Sequence, residues 1–223
     1  MEQNAREEIL GKLKRALRID APSIPDMPPL SELVLNREEM IARFIEELVL
    51  QEAVVHRVKD TSEVPEKLAE IAASEGLKRV IASTDDVIAP LDLPSWGKEH
   101  GITVHVPQDF PDRNSFKDAV FDEVQAGITG ADYAVAESGT LVIVHDTNQP
   151  RLISLAPILH IALVPATRMV PTYEQAVEEV YADMKNIPSH VTFTTGPSMT
   201  ADIKATPFKG MHGPRRLIAV LIG

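Results

Sequence analysis

Three residues, Glu137-Ser138-Gly139, are all that separate two apolar β-type runs, Tyr133 to Ala136 and Thr140 to His145. A crossover between parallel strands needs a dozen residues or more, so this pair is expected to be antiparallel. The turn also leaves a carboxylate and a hydroxyl at a strand end. Just upstream, Gly127, Thr129, Gly130 and Asp132 crowd small or acidic residues into six positions, a composition that lets a backbone bend sharply or approach a ligand closely. Two readings stand side by side: a plain hairpin with an edge glutamate, or a strand-end site.

Elsewhere the pattern alternates. Asn36 with Glu39 forms an N-cap and reach-back acid, and Met40, Ile41, Phe44, Ile45 and Leu48 then line one side of a helix to about Leu50. Ala53 to Val58 reads as a strand, 62–75 as a helix with Pro65 in its first turn and Gly76 as its stop, and Arg79 to Ala82 as a strand. Ser83-Thr84-Asp85-Asp86 follows that strand, either as a ligand loop or as a helix cap. Further on come a strand at Ile102 to Val106, a helix at 112–124, a strand at His160 to Val164, a helix at 172–184, and strands at Val191 to Thr194 and Arg216 to Ile222. Strands alternating with helices predict an α/β three-layer sandwich with a mostly parallel sheet, made mixed by the central antiparallel pair.

The first 35 residues differ in kind. Ile9, Leu10, Leu13 and Leu17 fall at helical spacing, and Pro22, Pro25, Pro28 and Pro29 then rule out regular structure over a stretch that reads as a linker. The expected organisation is an N-terminal helical arm over 1–35 and one domain over 36–223. The arm's apolar stripe must lie on something, either its own body or another subunit of a homo-oligomer.

A formal charge of −11, with 22 basic residues not gathered into a run, lacks the footprint of a nucleic-acid binder. No run approaches the ~18 apolar residues of a membrane span, and the charged start predicts a cytoplasmic protein. The chain has no cysteine, which excludes thiolate nucleophiles and cysteine-ligated iron–sulfur clusters within it. No histidine pair has the spacing of a helical metal site, and no nucleotide-binding signature is present, so neither a metal nor another cofactor is expected.

Chemistry must therefore be spelled by less familiar clusters. Gly196-Pro-Ser-Met-Thr-Ala-Asp202 follows a strand and is expected to open a short helix, where Ser198, Thr200 and Asp202 either hold an anion with the backbone amides or only cap. Arg215 and Arg216 add positive charge nearby in the chain. His212, in the turn Gly210-Met-His-Gly-Pro, is a candidate acid, base or donor. His145 and His160, at the ends of apolar runs, read as satisfied core or edge residues. The expectation is one pocket gathering Glu137, Ser138, Thr140, Ser198, Thr200, Asp202, His212 and Arg215 at the strand ends.

The central stretch, with Arg151-Leu-Ile-Ser-Leu-Ala-Pro157, the run from His160 to Pro165, the run from Thr195 to Ile203 and Gly210 to Arg216, resembles the lactate-utilisation protein C family of LUD-domain proteins. Ser138 stands where threonine is expected, and Ile158 and Lys204 replace an expected proline and acidic residue. The resemblance implies a NagB/RpiA/CoA-transferase-like fold. It also implies a non-redox part in a system that oxidises L-lactate to pyruvate with iron–sulfur partner proteins, and a small carboxylate ligand. CoA-transferases of that fold use a strand-end glutamate as nucleophile, which makes Glu137 the candidate for an alternative, stand-alone activity on a small carboxylate or acyl-CoA. A purely structural subunit is the third reading.

Overall fold

A computed structural model describes residues 2–16, 33–201 and 207–223. Two compact units make up the chain, Met1–Ser31 and Glu32–Gly223. The first holds α1 (Glu2–Arg15), whose last turn carries Lys12, Lys14 and Arg15, the charge sign that suits a helix C-terminus. Leu17 and the four prolines of the expected linker lie outside the described residues.

The second unit begins with α2 (Arg37–Leu50), started by a full capping box: Asn36 accepts from the Glu39 amide and Glu39 reaches back to the Asn36 amide. There follow β1 (Val54–Val58), α3 (Val64–Glu75), β2 (Arg79–Ala82), α4 (Leu93–His100), β3 (Thr103–His105), α5 (Arg113–Asp122) and β4 (Ala126–Gly130). The chain goes on through β5 (Tyr133–Val135), β6 (Thr140–Val144), α6 (Leu152–Leu155), β7 (Leu159–Pro165), β8 (Met169–Val170) and α7 (Tyr173–Val180). It ends with β9 (Val191–Thr194), β10 (Met199–Ala201), β11 (Pro207–Lys209) and β12 (Arg216–Ile222). No helix among the described residues is long and apolar enough to cross a membrane.

Six strands form a sheet in the order β1-β12-β7-β4-β2-β3, every neighbouring pair parallel. On one face Val80, Ile128, Ile161 and Val220 meet Leu68, Ile71, Leu93 and Trp96 of α3 and α4. On the other, Ala162, Leu217 and Leu221 meet Ile41, Phe44 and Leu48 of α2, while Ile81 meets Phe116 and Val120 of α5 and Ile153 of α6. Phe44 and Leu48 are fully buried, each worth roughly 1.5–3 kcal/mol of transfer free energy.

The pair flanking Glu137-Ser138-Gly139 is antiparallel, as the short turn requires, with Val135 opposite Thr140. It belongs to a second, four-stranded sheet, β8-β5-β6-β9, which is the mixed one; the six-stranded sheet is parallel throughout. β6 is buried on both sides, Leu141 against the main sheet and α2, Val142 against the layer that holds Ala176 of α7.

The structure departs from the sequence reading at several elements, α6 and β8 among them. The stretch read as a bend at Gly127 to Gly130 is β4, a central and wholly buried strand. Its glycines are there for close packing: a Cβ at Gly127 would stand 1.8 Å from the Ile153 carbonyl oxygen, and one at Gly130 2.3 Å from Asp85. α4 hides behind Pro94 and Gly97, and Gly97 is needed because a Cβ there would lie 2.5 Å from the Ile102 oxygen. No helix opens at Gly196. The segment turns into the β10–β11 hairpin, where Ser198 donates its amide to the Pro214 oxygen at 2.8 Å and accepts from Gly210 at 2.9 Å.

Candidate functional site

A cleft of about 370 Å³ opens where β9 and the turn after it face α6 and the amino-terminal ends of β7 and β12. Ser198 and His212 line one side, Ser154 and Leu155 of α6 another, and His160 and Leu217 the sheet side. The location is unusual for an open α/β sheet, whose crevice normally lies at the carboxyl ends. Here that edge is filled from within. Asp85 accepts from the amides of Val87 at 2.9 Å and Gly130 at 3.0 Å, the Thr84 amide donates to the Asn148 oxygen at 2.8 Å, and Arg168 pairs with Asp86. Ser83 to Asp86 therefore serves as a cap and brace.

His160 sits at the second position of β7 with 1% of its surface exposed, and its Nε2 lies 2.9 Å from Thr129 Oγ1. Burial, reinforced by the neighbouring His145, pushes its pKa down to about 3, so the ring is neutral at physiological pH. His145 has a tautomer fixed by its partners. The Gln149 carbonyl, 3.1 Å from Nδ1, can only accept, so Nδ1 carries the proton. Nε2 is then the acceptor for the Thr192 hydroxyl at 2.6 Å, and burial holds this ring too below the ordinary histidine range.

Behind His145 lies Asp132. Its Oδ2 accepts from the Val144 amide at 2.8 Å and from Gln149 Nε2 at 3.1 Å, and burial raises its pKa to about 6 despite those donors. Gln149 is 3% exposed and ties Asp132 to the loop that turns into α6. Thr129 is thus held by His160, which lines the cleft, while half-buried Asp132 belongs to a separate set of hydrogen bonds with Val144 and Gln149.

The structure brings only some of the candidate residues together. Ser198 and His212 share the cleft wall, with the His212 amide 3.4 Å from Ser198 Oγ. Ser138 and Thr140 join it indirectly: their hydroxyls are 2.8 Å apart, and Thr140 is 2.9 Å from Thr195, which lines the cleft. Glu137 turns away, its carboxylate accepting from the Tyr173 amide at 2.7 Å at the start of α7. Thr200 pairs with Phe208 in the hairpin, Asp202 lies outside the described residues, and exposed Arg215 folds over Gly210. Arg216 is engaged with Glu75, Nη2 to Oε1 at 2.6 Å. No arginine or lysine among the described residues lines the cleft. Among the described residues no group of three or more His, Asp or Glu side chains is placed to hold a metal.

His160 and His145 are the residues that sequence reasoning passed over. They are satisfied histidines, as expected, yet they also border cavities. What sets them apart is a threonine partner across the strands, which sequence spacing does not reveal.

A profile of the LUD domain matches residues 41–222. Lactate utilization protein C of Deinococcus radiodurans is 28% identical over 221 residues, spanning 98% of this chain and 96% of that protein. Lactate utilization protein C 1 of Bacillus mycoides is 31% identical, spanning 97% and 96%. Among solved structures, a DUF162 family protein from Deinococcus radiodurans superposes with a TM-score of 0.61 at 24% identity, over 85% of this chain and all of that one. That likeness establishes the α/β fold.

Proposed function

Because the chain belongs to the LUD-domain family, we propose that it is a lactate utilisation protein C: the non-redox component of a cytoplasmic system that oxidises L-lactate to pyruvate with iron–sulfur partner proteins. The observation that carries the reading is the end-to-end match to relatives bearing that name, 96% of the length of each of the two described above. The absence of cysteine supports it, since such a chain must leave cluster chemistry to partners. The cleft contributes hydroxyls from Ser154 and Ser198 and the His212 side chain, enough polar groups to orient a small hydroxy- or oxo-acid. Its described lining recognises such a molecule through hydrogen bonds.

The stand-alone acyl-transfer reading gains nothing from the geometry. Its nucleophile would be Glu137, which does not line the cleft and whose Oε1 accepts from the Tyr173 amide at the start of α7. The test is genetic and specific: deletion of the gene abolishes growth on L-lactate and not on pyruvate, and the wild-type chain restores it. Undiminished growth of the deletion strain on L-lactate, with no second copy present, contradicts the reading.

A further inference from the structure

A second concavity, which shares no lining residue with the cleft, lies around the start of α5 and the loop that enters α6. It has two lobes. One, about 370 Å³, is walled by Phe110, Phe116, Pro150 and Leu152; the other, about 540 Å³, is bordered by His145, Asp146 and His190. Three residues line both lobes and so stand at their boundary: Arg113, Thr147 and Arg151.

The apolar lobe is a rigid wall. Phe110 and Phe116 meet edge to face with centroids 5.5 Å apart, and both pack on the buried cluster of Ile81, Val120 and Ile153. The charged boundary is the opposite case. Neither Arg113 nor Arg151 forms a salt bridge among the described residues, although the chain carries eleven more negative than positive charges. The two nearby acids are committed to the backbone. Asp112 accepts from the amides of Asn114 and Ser115 at 2.8 and 3.0 Å, and Asp146 from those of Asn148 and Gln149, both at 2.8 Å. Two arginines that line both the apolar lobe and its neighbour make a site for a molecule with one anionic end and one greasy end.

We propose that this concavity binds an organic carboxylate with an apolar body, its carboxylate held by Arg113 and Arg151 and its body seated between Phe110, Phe116 and Leu152. A carboxylate matches the planar fork of arginine in pairs of hydrogen bonds, and a single negative charge suits a site that already holds Asp112 and Asp146. The Thr147 hydroxyl stands beside the same boundary as a further donor.

The probe is 3-phenylpropionate, titrated calorimetrically into the full chain. Saturable binding is expected, at least tenfold tighter than for acetate, which lacks the body, and for 3-phenylpropanamide, which lacks the charge. Arg113→Gln and Arg151→Gln should each weaken it about tenfold with the unfolding midpoint unchanged, because both side chains are exposed. Ser198→Ala, in the separate cleft, should leave it as it was, so the outcome does not depend on the lactate reading. No saturable binding, equal binding of the amide, or indifference to both arginine substitutions overturns the proposal.

Discussion

Lowering the pH from 8 to 5 should destabilise Asp132→Asn more than the wild type, by about 1 kcal/mol. Two groups of opposite sign set the comparison, buried His160 and half-buried Asp132. His160 has a folded pKa of about 3 against 6.5 when unfolded, so the unfolded chain binds its proton first and stability falls as pH drops below 6.5. At pH 5 that is 1.5 units, or about 2 kcal/mol at ~1.36 kcal/mol per unit. Asp132 works against it. Its folded pKa is raised from 3.8 to about 6, so the folded chain takes up this proton first and stability recovers as pH falls through 6. One unit below 6 is worth about 1.4 kcal/mol, reduced to about 1 for its partial exposure. Asparagine keeps an acceptor for the Val144 amide and Gln149 while removing the titration. Urea unfolding followed by circular dichroism at pH 5, 6, 7 and 8 gives both curves, and all other titrating groups cancel in their difference. Equal acid losses in the two proteins, or a smaller loss in Asp132→Asn, would refute the assignment of a half-buried, charge-disfavouring site to Asp132.

Gly127→Ala should cost about 3 kcal/mol or more, since its Cβ would meet the Ile153 carbonyl at 1.8 Å and α6 would have to move off the sheet; a loss under ~1 kcal/mol in urea unfolding counts against that packing. Glu137→Gln should leave growth on L-lactate at the wild-type level because the amide oxygen still caps α7, while Glu137→Ala should lose about 1 kcal/mol of stability with the cap. Loss of growth in a folded Glu137→Gln protein would return that carboxylate to the chemistry. Removal of residues 1–31 should leave a chain that unfolds in one cooperative transition, since the second unit has its own core; a broad, non-cooperative melt contradicts it.

Much of the fold was legible because local signals agreed with the final packing. Asn36 and Glu39 announce α2, Gly76 ends α3 in the left-handed conformation, and the three-residue turn after Ala136 dictates an antiparallel pair. β4 was not legible. A strand that must let α6 and Asp85 approach its backbone carries glycine where a strand pattern asks for β-branched residues, and so it imitates a bend. The same limit holds at the site. Ser198 and His212 were found through composition and turn chemistry, but the pairing of Thr129 with His160, and of Thr192 with His145, joins residues 31 and 47 positions apart. Glu137 shows the reverse case: a carboxylate at a strand end resembles a nucleophile in sequence, and the structure sets the Tyr173 amide against its Oε1.

The most direct test of the lactate reading is affinity purification of the tagged chain from cells growing on L-lactate, followed by visible absorption and lactate-dependent dye reduction. The expected result is a brown eluate of cluster-bearing partners that reduces dye with L-lactate, and a colourless, inactive chain once those partners are stripped away. Lactate-dependent dye reduction by the isolated chain, or an active lactate-oxidising assembly from which this chain is absent, would contradict it.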